Sequence, residues 1–339
     1  MGHCRWRAKD PTHTLPPHEN RVGARDKGAM QTGRDPVFYE ADGERRTEAS
    51  RFADTRFSVG AVMQIIIPTR GRIHRQTTLQ SLPSELLKQT ILVCPKREAS
   101  GLYRLYKDAG VDVVVEPHPD MKIAQTREWV VQTWFNAGYT KIIMLDDDLR
   151  FYTRKSVDDW HLDEIWGDEL MPEFERIEDK LSAAVPHVGF GVRQGNDKLE
   201  EVGWQSPGRM CHTLAYHLPI VAKEASFVFG GLEIREDFCF SLQLLLKGYP
   251  NAVWTETVVN QRKSPTYACT PHNSAGGCSV YRTLAMSDAE AWKFKALFPG
   301  FVSVRKPNYK RSVPRLEVTV QWKKALRDGQ RNRSRVFAC

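Results

Sequence analysis

From Met63 onward, short apolar runs alternate with longer stretches of helical period. Met63 to Ile67 is apolar except at Gln64, so a buried strand is expected over 63–67, followed by the turn Pro68-Thr69-Arg70-Gly71-Arg72. The pattern then predicts a helix near 73–88 interrupted at Pro83, a strand at 90–94, a helix over 99–109 stopped by Gly110, and a strand at 111–115. A helix over 122–137 sets Ile123, Val130 and Trp134 on one stripe, with Arg127 alongside, and Gly138 ends it. Lys141 to Leu145 is the next apolar run, and Asp146-Asp147-Asp148 follows at once. Strands separated by helices of roughly 10–15 residues mean βαβ units. The expected fold class is therefore α/β, a Rossmann-type, mostly parallel sheet flanked by helices.

Beyond the triplet the rhythm becomes irregular. An amphipathic helix is expected over 168–184, with Pro172 in its first turn, and short strands at 188–193 and 211–221 bracket a Gly/Pro/Trp loop. Phe227 to Gly231 leads to Glu233-Ile234-Arg235-Glu236-Asp237 and a helix closed by Gly248. A strand at 252–259 precedes a polar loop over 260–280. Loops beyond about 12–15 residues inside a compact domain are usually functional or disordered. Residues 1–60, rich in Pro, Gly, Arg, Asp and Thr, show no sustained hydrophobic period and are expected to be disordered. That leaves one domain over 61–300 and a C-terminal segment over 301–339.

Charge sets that last segment apart. Of the net +8, residues 301–339 carry eleven Lys/Arg against two Asp/Glu, while 63–300 is slightly acidic. A concentrated cationic segment attracts polyanions by counterion release, or is simply a solvated tail. The hydrophobic content of 41% suffices for a sizeable core, yet no window approaches the roughly 18 apolar residues of a membrane span. The first fifteen residues contain basic side chains but no apolar run, so no secretory signal is expected. Seven scattered cysteines fit free thiols in a reducing cytoplasm.

The chemistry starts at the acidic triplet. Burying one unpaired carboxylate costs on the order of several kcal/mol, so three at a strand's end call for a partner. Open α/β sheets bind ligands beyond the carboxyl ends of their strands, and all-oxygen ligation points to Mg²⁺ or Mn²⁺ with substrate phosphates completing the shell. A solvated turn with an Asp N-cap is the plainer alternative. Arg70 and Arg72 leave the sheet at the same edge, and a guanidinium fork matches phosphate. Arg127, on the helix feeding the acidic strand, is placed either to meet a diphosphate or to form a salt bridge. Glu236-Asp237 opens a helix after Gly230-Gly231. These carboxylates can serve as general base on an acceptor hydroxyl or as capping acids, and the glycines allow close backbone approach to a ligand. His272, within Cys269 to Cys278, is a candidate third protein ligand to the metal or a histidine satisfied in its turn; zinc fits the spacing poorly. Trp160, Trp166, Trp204 and Tyr216 could stack on a sugar or base, or belong to the core.

Taken in order, the strand ending in PTRGR, the strand ending in Asp-Asp-Asp, the Gly-Gly…Glu-Asp segment and the late histidine resemble a GT-A-fold glycosyltransferase over roughly 63–285. The resemblance implies that Asp146 and Asp148 hold the metal bridging the diphosphate of a nucleotide-sugar, with Asp147 nearer the ribose. It implies that Pro68, Thr69, Arg70 and Arg72 contact the nucleotide, that Glu236 or Asp237 supplies the base, and that His272 closes on the metal. IPTRGR together with PHNSAGGCSVYR at 271–282 resembles the phage and fungal TET-associated glycosyltransferases, which act on hydroxymethylated pyrimidines in DNA. The expected activity is hexosyl or pentosyl transfer from a nucleotide-sugar to DNA held by the basic C-terminal segment, with Mn²⁺ or Mg²⁺ as cofactor. A polysaccharide or protein acceptor, nucleotidyl transfer, and a non-enzymatic nucleic-acid-binding protein are the competing readings.

Overall fold

The computed structural model describes residues 37–39, 45–47, 63–156, 162–193, 201–261, 283–306 and 316–336. Strands β1 (Val37–Tyr39) and β2 (Arg45–Thr47) form an antiparallel edge. The alternating half comprises β3 (Gln64–Pro68), α1 (Thr77–Ser81), α2 (Ser84–Leu87), β4 (Thr90–Cys94), α3 (Lys96–Tyr106), β5 (Asp112–Val115), α4 (Ile123–Asn136) and β6 (Lys141–Leu145). Its strands pair in parallel in the order β5-β4-β3-β6, the expected α/β arrangement. Pro83 divides the predicted helix at 73–88 into α1 and α2, because proline cannot donate the amide that helix continuity needs.

The second half contributes β7 (Leu149–Arg154), β8 (Leu162–Ile165), α5 (Met171–Lys180), β9 (His187–Val192), β10 (Trp204–Gln205), β11 (Thr213–His217), α6 (Leu218–Glu224), α7 (Glu236–Leu246) and β12 (Asn251–Gln261). These strands extend the sheet with mostly antiparallel pairs: β11 beside β6, then β9, β12, β7 and β8, with β10 on β12. The predicted strand at 211–221 stops at His217, since α6 starts at Leu218 with Pro219 in its first turn.

Side-chain alternation along the strands builds two cores. Ile65, Leu92, Ile143 and Leu145 face one side, with Leu79, Leu102 and Phe174 from α1, α3 and α5. Ile66, Ile91, Val93, Ile142 and Met144 face the other, with Val130 and Trp134 of α4 and Phe240 of α7. Both faces are buried, which is why these strands read as unbroken apolar runs.

The opposite side of α7 packs a third core. It meets α8 (Leu284–Leu297), the antiparallel pair β13 (Val302–Arg305) and β14 (Glu317–Val320), and α9 (Trp322–Val336). Ala325 of α9 is fully buried there. A Cβ on Gly329 would come within 2.7 Å of the Gly248 amide nitrogen and also strike the Leu245 carbonyl, so the two helices meet backbone to backbone. The described parts of the basic segment are thus folded onto α7. Among the described residues, no helix is long and apolar enough to cross a membrane.

Candidate active site

β3 and β6 are parallel neighbours with Ile65 opposite Ile143, so Thr69 to Arg72 and Asp146 to Asp148 leave the sheet at one edge. β11 begins at the same edge, with Thr213 opposite Leu145. A cavity of about 670 Å³ opens there, within the size range of small-ligand sites. It brings together Pro68, Thr69, Arg70, Arg72, Arg127, Asp146, Asp147, Asp148, Glu236 and Asp237. His272, Trp160 and the 271–282 stretch lie outside the described residues.

The three aspartates have separate surroundings. Asp147 accepts a hydrogen bond from Thr69 Oγ1 at 2.6 Å and pairs with Arg72. Burial pushes its carboxyl up to about 6, against the pull of Arg72. Asp146 accepts from Arg127 Nη2 at 2.7 Å and from Gln261 Nε2 at 3.2 Å, and sits 2.7 Å from His212 Nδ1. Asp148 is 6% exposed, yet among the described residues none donates a hydrogen bond to either of its oxygens, and the cation paired with it is Arg72, at 3.3 Å. Its carboxyl is also raised, chiefly by burial.

Arg127 is 4% exposed and divides its guanidinium between Asp146 and Glu236, the latter at 2.9 Å. Burial opposes its charge, but these carboxylates outweigh burial and keep it cationic. Glu236 is therefore a buried ion-pair partner. Asp237, one residue on, faces the cavity half-buried and accepts the Phe238 amide at 2.8 Å. Arg70 donates to Glu116 at 2.7 Å, and Glu116 also accepts from Thr126. Both arginines of the PTRGR turn thus rest on carboxylates at the cavity wall.

Two expectations shift. Gly230 and Gly231 do not line the cavity; both have φ of 65° in a tight turn, where Gly230 packs on Leu297. Their role is conformational, since a side chain is strained at that φ. Trp204 packs on Trp254 and Tyr216 on His187, away from the cavity wall.

Other residues join the site without a motif to announce them. His212 sits at φ 71° in a three-residue turn closed by the Thr213 amide on the Cys211 carbonyl, a conformation costing on the order of 1–3 kcal/mol. Its carbonyl accepts the Asp146 amide, so the strained turn braces the triplet. Burial disfavours its imidazolium, but Cys211 and Asp146 prevail and hold it well above the usual histidine range. Leu316 to Val320 and Trp322, from the C-terminal segment, close one wall.

A cation suits part of this donor set. Asp146, Asp147, Asp148 and Glu236 face two guanidiniums, Arg72 and Arg127, and the His212 imidazolium, leaving one carboxylate in excess. The unbonded Asp148 oxygens are the natural ligands. No group of three His, Cys, Asp or Glu among the described residues could hold a metal ion, so phosphate oxygens or residues outside that set would complete any shell.

A family model described as TET-Associated Glycosyltransferase matches residues 63–268. No curated protein matches the chain. Among solved structures, a mannose-1-phosphate geranyltransferase from Thermus thermophilus is similar at 12% identity and a TM-score of 0.34, covering 59% of this chain and 76% of that one. The glycosyltransferase GlyE from Streptococcus pneumoniae is similar at 14% identity and a TM-score of 0.29; the match covers 48% of this chain and only 36% of that one.

Proposed function

The chain belongs to the TET-associated glycosyltransferase family, and from that premise we propose that it moves a hexosyl or pentosyl group from a nucleotide-sugar to the hydroxymethyl group of a 5-hydroxymethylpyrimidine in DNA. The observation that carries this reading is the meeting of the unbonded Asp148 carboxylate, Arg70, Arg72 and Asp237 in one cavity at the carboxyl edge of the sheet. Asp148 and Asp146, with His272 as the expected further ligand, would hold Mn²⁺ or Mg²⁺, whose Lewis acidity would offset charge on the departing nucleoside diphosphate.

The remaining steps belong to the chain itself. Arg70 and Arg72 exchange their carboxylate partners for phosphate oxygens as the donor enters, and stabilise the leaving group. Pro68 and Thr69 border the nucleotide, and Asp147 serves the ribose. Arg127 keeps Asp146 oriented. Asp237 takes the proton from the acceptor hydroxyl while that oxygen attacks the anomeric carbon. The bond from that carbon to the diphosphate oxygen breaks, and its electron pair leaves with the diphosphate. Exposed lysines and arginines of α9 hold DNA phosphates without reading sequence. The free thiols Cys94, Cys211 and Cys239 support a cytoplasmic setting.

The test is to incubate the full chain with Mn²⁺ and a panel of nucleotide-sugars, with hydroxymethylated or unmodified DNA, and to weigh the digested nucleosides. A sugar-bearing nucleoside from modified DNA alone is expected. Transfer only to a polysaccharide or protein, or pyrophosphate release from a nucleoside triphosphate and a sugar phosphate, would replace this reading.

A further inference from the structure

The donor chemistry leaves one wall of the cavity without a task. Trp322, the first residue of α9, lines the cavity with its ring centroid 5.6 Å from that of Phe238 and the two planes at 81°. Phe238 follows Asp237 on α7, and the Arg209 guanidinium carbon lies 5.2 Å from its ring. All three side chains border the cavity, and both rings are half-buried. Two rings at nearly a right angle form a corner in which a flat heterocycle lies face-on to one and edge-on to the other. Bases splayed from their stack are held in this way, by aromatic faces and guanidinium planes.

We infer that the corner between Phe238 and Trp322 seats the nucleobase bearing the acceptor hydroxyl, beside the proton acceptor Asp237. The inference rests on the DNA acceptor proposed above. A base so seated has left the duplex stack, which an enzyme acting on a base within DNA requires unless it works from a groove. α9 is placed to serve that geometry. It begins at Trp322, and its exposed Lys323, Lys324, Arg327 and Arg331 follow within residues 323–331, roughly 12 Å of helix, available to flanking phosphates. Both rings also touch the third core, so the test must separate stacking from packing.

Trp322→Leu and Phe238→Leu keep apolar bulk and remove the ring. Each should raise the KM for a hydroxymethylated oligonucleotide about tenfold, a typical effect of losing one stacking partner. The KM for the nucleotide-sugar should hold, and Trp322→Phe and Phe238→Tyr should restore most of the loss. An unchanged acceptor KM in both leucine variants overturns the inference while leaving the glycosyltransferase reading intact, as does a ring-retaining variant that loses as much as its leucine counterpart. Wild-type protein that transfers sugar to no DNA removes the acceptor reading, and the inference with it. A measurement free of variants uses an oligonucleotide carrying a photoreactive thiopyrimidine at the acceptor position. Adducts on the peptides holding Phe238 or Trp322 support the seat; adducts confined to other peptides overturn it.

Discussion

Glu236 points into a buried pair with Arg127, while Asp237, its neighbour on the same first turn, faces the cavity. Removing each should therefore have a different consequence. Glu236→Ala leaves Arg127 buried with half its compensation, and should lower unfolding free energy by about 3 kcal/mol in urea denaturation. Asp237→Asn should leave the denaturation midpoint in place and reduce transfer by about 10²- to 10⁴-fold, the usual worth of a general base. Loss of activity in step with loss of stability in both variants would mean that neither carboxylate acts on the acceptor. The same scale shows why Asp148 stands out: a carboxylate this buried normally collects donors, and this one collects none from other residues.

Among the elements, α9 depends on a single missing side chain. Gly329→Ala places a methyl group against the Leu245 carbonyl and within 2.7 Å of the Gly248 nitrogen, both backbone atoms that cannot step aside. The variant should melt several degrees lower, a shift on the order of 1–3 kcal/mol for overpacking. Because α9 carries Trp322, its acceptor KM should rise as well; unaltered melting would refute the close helix packing. The β9–α7 junction has a pH signature. His187 is fully buried, with Nε2 3.0 Å from Ser241 Oγ and its ring stacked on Tyr216. Burial depresses its pKa from 6.5 to about 3, so the folded state refuses a proton that the unfolded state binds. Its contribution is complete above pH 6.5 and declines as pH falls towards 3, with a slope approaching about 1.4 kcal/mol per pH unit. Denaturation series between pH 7 and 4.5 should show that slope reduced by about one proton in His187→Asn. An equal slope in both proteins would place His187 outside the linkage.

These elements also show what the sequence discloses. β3, β4 and β6 are legible because strands buried on both faces are unbroken apolar runs. β7 and β8 are not, since Arg150, Asp163 and Glu164 put charge on faces that a two-sided core would exclude. The aspartates and the PTRGR arginines announce themselves by charge at a strand's end. Nothing in Met210-Cys211-His212 marks a left-handed turn that braces Asp146. Leu316, Val318, Val320 and Trp322 alternate like a strand, but arginines and lysines around them mask the pattern.

For the molecule as a whole, charge and site are joined through one segment. The +9 excess of residues 301–339 includes α9, whose described lysines and arginines are exposed while its Ala325 and Gly329 are buried. Neutralising Lys323, Lys324, Arg327 and Arg331 together should weaken duplex DNA binding and reduce the log–log salt slope by about 0.9 for each phosphate no longer neutralised. An identical slope would detach this helix from the acceptor. Whether Asp148 receives the cation that binds with the donor's diphosphate is decided by calorimetric titration of the donor's own nucleoside diphosphate, with and without Mn²⁺, into wild-type protein and Asp148→Asn. Mn²⁺ should tighten binding to the wild type by about tenfold or more, the scale of one buried charge pairing, and should do nothing for the variant. Equal enhancement in both proteins, or none in the wild type, would contradict that role.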